Sequence, residues 1–449
     1  MIRELEKVGK NFHDATKHSP LSVMLDPNYV DASTQPAAFK TYPHFYRRFP
    51  LDKTDPIHNF IRLTSAITFT KKYKYDSFQL RVNPSAGALY PTEIYVQIRG
   101  IPGLIEGIYH LEVATNSLTL IYELIDDGLE SYILPNSLVK GFIFIVSCVY
   151  YRSSWKYKNR SLRYCFLDSG HHIGAIAAAA NLYQQDLRVL FDFDKIALNK
   201  DLGLENKEFV TAAVISGNLK AKSVRKLRSP LPFVAPTDYF ETNSFIETGY
   251  QHTVVNKNIG NNRVKSSQLT KLNFDFGCNN NTINKSPLNF QSDKFLQTIL
   301  TRRSARAFTG SSISQAEWQQ IWHYLQQPLN TVNNEQITIY SIVNSIEGIE
   351  SGLYQGNRLL KSGDKRDRAQ YLCVNQAIAK TSAVTLFLTA TYNNYQTVMQ
   401  YAGWLGHRLY LISNYLGIGC SGIGAYYDDE TQKFLEIDKD ILYALAIGR

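Results

Sequence analysis

The stretch GLIEGIY at residues 103–109 returns as GIESGLY at 348–354, and it does not return alone. A strand-like apolar run follows each copy, FIFIVSCVYY at 142–151 and SAVTLFLTATYNNY at 382–395. A long apolar helical segment comes next, LDSGHHIGAIAAAANLYQQDL (167–187) against YAGWLGHRLYLISNYLGIG (401–419). LFDFDKIALNKDLGLE (190–205) then answers AYYDDETQKFLEID (425–438), and VTAAVISG (210–217) answers LYALAIGR (442–449). Matched segments in one order imply a duplicated α+β unit. With two copies this is no solenoid, and two like domains in one chain tend to pack about a pseudo-two-fold, as homodimers do.

A chain of 449 residues exceeds the usual size of one core, which agrees with two domains. Between the copies, residues 218–290 run from NLKAKSVRKLRSPLP to GCNNNTINKSPLNF, rich in Asn, Ser, Lys and Pro and poor in periodicity. The expected organisation is a first domain over 1–217, a polar linker or lid over 218–290 and a second domain over 291–449. The run at 142–151 is too short to span a bilayer and reads as a central strand.

The net charge of +9 is spread along the chain, without an arginine-rich arm, so a solvated basic surface is expected and neither nucleic acid nor membrane as a partner. The five cysteines are never spaced C-x-x-C, which implies neither a metal site nor a disulfide framework. With the polar start MIRELEKVGKNFHDATKH, a reducing cytoplasm is the expected location. Asn280 and Asn284 each open an N-x-S/T triplet, which carries little weight there.

The copies differ where chemistry would sit. ILTRRSARAFTG (299–310) crowds Arg302, Arg303 and Arg306 around Ser304, ahead of a helix over 312–325 whose Ser314 and Glu317 make a capping box. Three planar guanidinium forks with a hydroxyl suit bidentate phosphate binding. A solvated charge run is the commoner explanation by composition. The first half offers only YRRFPL at 46–51. Conversely, the PSAG turn, Pro84-Ser85-Ala86-Gly87 before the apolar alternation of Ile94, Val96 and Ile98, has no second copy. Nor has SSWKYKNRSLRY (153–164), where Lys156 and Tyr157 stand beside Arg160 and Arg163. A lysine crowded by cations, above all a buried one, makes a candidate base, although a basic loop after a strand is the commoner reading. Asp168 and His171 suggest a second acid–base pair, against the blander reading of a helix N-terminal carboxylate and a core histidine. Each half thus lacks what the other keeps, so one composite site using both is expected.

R-x-x-PSAGALYP-x-E-x-Y (81–95), WKY-x-x-R-x-x-RY-x-x-LD-x-GH (155–171), RRS-x-R (302–306), SGIGAYYDDE (421–430), FHDATKHS (12–19) and QPAAFKTYP (35–43) together resemble the SagB/ThcOx branch of the nitroreductase-like flavoproteins. The resemblance implies two tandem nitroreductase-like α+β domains as an internal pseudo-dimer holding FMN, either monomeric or in higher oligomers. It implies FMN-dependent oxidation of thiazoline or oxazoline rings in a ribosomal or nonribosomal peptide to thiazoles or oxazoles. The azoline peptide would be supplied by a cyclodehydratase partner. Arg302, Arg303, Ser304, Arg306 and Arg449 would hold the FMN phosphate, and Pro84, Ser85, Ala86 and Gly87 would lie on the ring system, with Gly422 and Gly424 at its edge. Lys156, assisted by Tyr157, would be the catalytic base. A general NAD(P)H-dependent nitroreductase and a non-catalytic scaffold of a peptide-modifying complex are the alternatives.

Overall fold

The computed structural model describes residues 2–27, 29–73, 77–254, 290–329, 337–392 and 394–449, which form two compact units. The described residues from Asp31 to Val254 make the first; those up to Val30, with those from Phe290 onward, make the second. The strands of the first are β1 (Arg48–Pro50), β2 (Ile67–Lys72), β3 (Ser77–Arg81), β4 (Thr92–Arg99), β5 (Gly107–Glu112), β6 (Ser117–Glu123), β7 (Ser137–Cys148), β8 (Arg188–Leu190) and β9 (Phe209–Ala221). Those of the second are β10 (Thr338–Val343), β11 (Gly352–Gln355), β12 (Arg358–Ser362), β13 (Val384–Ala390), β14 (Gly419–Ile423) and β15 (Asp440–Gly448).

The first sheet runs β1-β6-β5-β4-β7-β9-β8, and the second β12-β11-β10-β13-β15-β14. Apart from β1, the two orders are the same path through two sheets, all neighbours antiparallel. The sequence repeat is therefore a repeat of topology: a mixed helix-and-sheet fold in tandem. The run from Phe142 is the central strand expected of it, every residue to Cys148 buried between β4 and β9. It stops there, and Tyr150 and Tyr151 open the helix Tyr150–Tyr157 instead. The helix Ser161–Leu182 is buried through Ala180, and its glycines and alanines let it lie against β4, β7 and β9. Among the described residues no helix is long and apolar enough to cross a membrane.

Two segments fold differently from expectation. The N-terminal FHDATKHS lies with the second unit: His13 is fully buried with Nε2 3.7 Å from Asp428 Oδ1, and the His18 N–H donates to Asp428 Oδ2 at 2.9 Å. This motif and the distant YYDDE are thus two halves of one contact. Residues 222–254, expected as polar linker, are packed on the first unit; Val224 and Leu227 are buried, and Tyr250 stacks on Phe209 at 4.2 Å and donates to the Val210 carbonyl. The rest of the expected linker, with Cys278, Asn280 and Asn284, lies outside the described residues.

A buried ionic network holds the first unit. Glu93 accepts from Arg152 Nη1 at 2.6 Å and from the Lys40 backbone N–H at 3.1 Å, and its other oxygen lies 3.1 Å from His110 Nε2. Lys40 Nζ donates to Tyr95 Oη at 2.7 Å and to Glu208 at 2.9 Å. Arg81 and Arg152 reach the carbonyls of Ala38 and Ala37, the QPAAFKTYP segment. Burial alone would raise the Glu93 carboxyl; Arg152, His110 and Arg81 reverse this and hold it far below the usual range. Burial also brings Arg81 down to about 10.

Removing one partner of such a pair strands the other. Glu93→Gln should lower stability at neutral pH by about 3–5 kcal/mol in urea unfolding. Because the folded carboxyl titrates below its unfolded value of about 4.3, its contribution is present above that pH and fades as pH falls. The gap between wild type and variant should therefore narrow below about pH 4.

Candidate functional site

Between β3 and β4 the chain makes a turn, Ser85–Tyr90, with φ of +63° at Gly87, +55° at Ala88 and +48° at Tyr90. Left-handed backbone costs a non-glycine residue about 1–2 kcal/mol, so side chains must hold this shape. Ser85 Oγ donates to Asp168 Oδ2 at 2.5 Å, the Ala86 N–H points at Asp168 Oδ1 at 3.4 Å, and the Tyr90 N–H closes the turn onto Ser85 Oγ at 2.9 Å. At the far end Tyr90 Oη accepts the Arg81 N–H at 3.0 Å, and the Tyr90 carbonyl accepts from Arg152 at 3.1 Å. The motif's Arg81, Glu93 and Tyr95 are therefore the turn's foundation.

Tyr157, the last residue of its helix, brings its hydroxyl to the turn: a Cβ on Gly87 would sit 2.6 Å from Tyr157 Oη. Its ring stands edge-on to Tyr164 at 4.7 Å, and Lys156 Nζ lies 5.6 Å from the ring centre. The PSAG turn and the Lys-Tyr pair, some 70 residues apart in sequence, thus meet within one unit. Lys156 is exposed, whereas Arg160 and Arg163 are buried, so of the clustered cations it is the arginines that the fold sends inward. Asp168 departs from expectation. It lies well inside its 22-residue helix, not at the N-terminus, and is buried; burial pushes its carboxyl up to about 7 against the lowering effect of Ser85 and Ala86.

In the second unit the helix Ser292–Thr301 ends at the arginine cluster. Arg303 Nη1 donates to the carbonyls of Leu300 and Arg302, helping to finish that helix. Arg302 is buried, its guanidinium 5.3 Å from the ring centre of Tyr410, and Arg306 is exposed. Ser304 Oγ lies 2.8 Å from Tyr410 Oη, which also accepts the Gly422 N–H at 2.6 Å. Ala305 donates to the Cys420 carbonyl at 2.9 Å, aligning the cluster with β14. Arg302, Ser304 and Gly422 therefore converge on Tyr410, a residue that no local pattern marks; burial, with Cys420 next, raises its hydroxyl against Ser304 and Arg302.

Residues 299–449 match the Nitroreductase family. A protein of Methanocaldococcus jannaschii named as a nitroreductase is 31% identical over 117 residues, so the chain spans 58% of that curated relative, and the match takes in 25% of this chain. A crystal structure of an Anabaena variabilis protein of the same designation has a TM-score of 0.79 and 24% identity over 98% of this chain and 99% of that one, a likeness of fold. The E. coli microcin synthetase McbBCD complex, solved with truncated pro-MccB17 bound, is similar over 49% of this chain and 94% of the matched one at 16% identity, with a TM-score of 0.30, too slight to bear on function.

The second unit offers the donor set a phosphate needs: fixed guanidinium charge, with Arg302 buried, beside a hydroxyl and next to a sheet edge. Gly422 is accounted for within the domain, because a Cβ there would run into the Tyr443 hydroxyl. Gly424 follows β14 directly and is half-buried. Arg449 is engaged elsewhere: its guanidinium pairs with Glu317 of the helix Gln315–Gln326, whose capping box with Ser314 forms as expected.

Asp168 gives this site a pH signature. Its folded carboxyl titrates above its unfolded value, so the folded state binds the extra proton, and stability falls as pH rises from about 4 to about 7. Measured against Asp168→Asn, the wild type should lose on the order of a few kcal/mol across that window. A flat difference between the two in urea titrations at pH 5 and pH 8 would contradict this.

Proposed function

We propose that this protein is an FMN-dependent oxidoreductase that dehydrogenates thiazoline or oxazoline rings in a peptide to thiazoles or oxazoles. The observation that carries the reading is the meeting of the Lys156–Tyr157 pair with the Ser85–Tyr90 turn. The family match of residues 299–449 supports its redox half, and the motif resemblance over most of the chain supports its substrate half.

FMN, when bound, supplies the two-electron acceptor for the loss of two hydrogens from the ring. Arg302, Arg303, Arg306 and the Ser304 hydroxyl are assigned to its phosphate; Arg449 would join them only on leaving Glu317. Pro84, Ser85, Ala86 and Gly87 are assigned to the flat ring system, because the exposed Gly87 presents backbone without a shielding side chain. Gly422 and Gly424 are assigned to its edge. Lys156 is assigned the ring proton, which it takes at Nζ and releases to solvent. Tyr157, fixed between Tyr164 and the turn, orients that exchange. The rings themselves come from a separate cyclodehydratase.

Flavin released by acid from the purified protein should be FMN, near one equivalent per chain, since each motif occurs once. Arg302→Ala with Ser304→Ala should weaken FMN binding severely, charge-assisted contacts being worth about 1.5–3 kcal/mol each. FAD, or no flavin at all, would end the reading.

Lys156→Ala should keep the bound flavin and its yellow colour yet lose turnover of an azoline peptide by about 10²–10⁴-fold. Turnover is read by mass spectrometry as a product about 2 Da lighter, the mass of the two hydrogens removed. Undiminished turnover would remove Lys156 from the chemistry. Rapid bleaching by NAD(P)H with no azoline oxidation would favour a general nitroreductase.

A further inference from the structure

The turn that carries Gly87 is expensive in backbone conformation, and only its far end, Leu89 and Tyr90, is buried. Ala86 and Ala88 are half-exposed and Gly87 is exposed, so apolar packing does little to hold the left-handed backbone of Gly87 and Ala88. Apart from Tyr157 at Gly87 and the Arg81 and Arg152 contacts at Tyr90, what reaches the turn, at its near end, is one carboxylate. Asp168 accepts from the Ser85 hydroxyl and faces the Ala86 N–H, while Ser85 Oγ accepts the Tyr90 N–H. Placing a carboxylate inside an apolar helix is costly, and cores keep such a group only when something depends on it.

We propose that Asp168 is a positioning residue: through Ser85 it holds the Ser85–Tyr90 turn in the open, left-handed form that presents the Gly87 backbone beside the Tyr157 hydroxyl. Asp168 touches no reacting atom; it acts on the turn, and the turn bears on the flavin and on Tyr157. The functional part of this inference rests on the flavin reading given above. Its structural part does not.

The duplicated domain supplies an independent observation. Aligned on their shared Gly-His pairs, Gly170-His171 and Gly406-His407, the two long helices place Trp404 where the first has Asp168. Trp404 is buried and can accept no hydrogen bond through its side chain. The second unit has no PSAG turn. Turn and carboxylate are thus present together in one copy and absent together from the other, as expected of two parts of one device.

The test uses the full chain, with hydrogen–deuterium exchange read on peptides spanning residues 82–91 in flavin-free protein, beside FMN affinity by fluorescence. Asp168→Ala should speed exchange of these amides about tenfold, the effect of losing one charge-assisted hydrogen bond, while β7 and β9 stay protected. Ser85→Ala should match it, and the double variant should add nothing further, because the two side chains act in series. Asp168→Asn, which keeps an acceptor for Ser85, should restore protection to within about threefold of wild type. FMN affinity should fall about tenfold in Asp168→Ala and recover in Asp168→Asn. If Asp168→Ala proves too unstable to measure, Ser85→Ala carries the same expectation.

Unchanged exchange at 82–91, or multiplicative effects in the double variant, would overturn the proposal. Loosened exchange with unchanged FMN affinity would overturn its functional half. A wild type that binds no FMN, yet shows the exchange pattern, would sink the flavin reading and leave the clamp standing.

Discussion

The Glu93 carboxylate is 2% exposed, and the parts of the first unit that carry candidate chemistry depend on it. An ionised carboxylate survives such burial only if cations and donors surround it. Arg152 is one of them, and Arg152 also belongs to the helix that ends in Lys156 and Tyr157. The same guanidinium reaches the Tyr90, Ala37 and Pro236 carbonyls, so one charge pair ties four stretches of chain together. Arg81, lowered by burial but still cationic, stacks over the Tyr90 ring at 4.8 Å and adds a second anchor. The geometry at Gly87 is therefore set largely by electrostatics well below the surface, and less by what the turn residues themselves prefer.

That dependence explains which features could be read from residue order. The duplication was legible because topology is written in period and order: two series of matched segments gave two sheets with one strand path. The Ser314 capping box was legible because its partners are three residues apart. The motif letters were visible too, although Arg81, Glu93 and Tyr95 turn out to be foundation: all three lie in the buried ionic network. Local spacing cannot distinguish a residue that bears on a ligand from one that props up its neighbour.

What remained hidden was long-range pairing. His13 finds Asp428 across most of the chain, which is why the N-terminal helix belongs with the second unit. Tyr410 looks like one more aromatic in an apolar helix, yet it receives Ser304 and Gly422. Arg449 was expected at the FMN phosphate, and nothing near it in sequence shows that the fold puts Glu317 beside it. Asp168 read as a helix-start carboxylate because nothing nearby shows that the helix begins at Ser161 or that Ser85 waits opposite. Lys156 stands exposed while Arg160 and Arg163 are buried, because clustered charge in sequence says nothing about which cations the fold sends inward.

Both units solve a similar physical problem by similar means. In each, a glycine lacks the Cβ that would collide with a tyrosine hydroxyl, Tyr157 at Gly87 and Tyr443 at Gly422. A tyrosine is stiff about two side-chain angles and directional at its hydroxyl, so backbone pressed against it has few alternatives. In the first unit the tyrosine is braced by Tyr164, and the glycine's neighbours are held by a carboxylate. In the second, Tyr410 takes the Gly422 amide and a cation lies over its ring. A ligand that binds such surfaces finds donors already ordered, and the entropy of ordering them has been met during folding. The high tyrosine content of the chain, 29 residues, then has a structural use beyond hydrophobic bulk. Several of these rings are rigid walls against which bare backbone is kept in place.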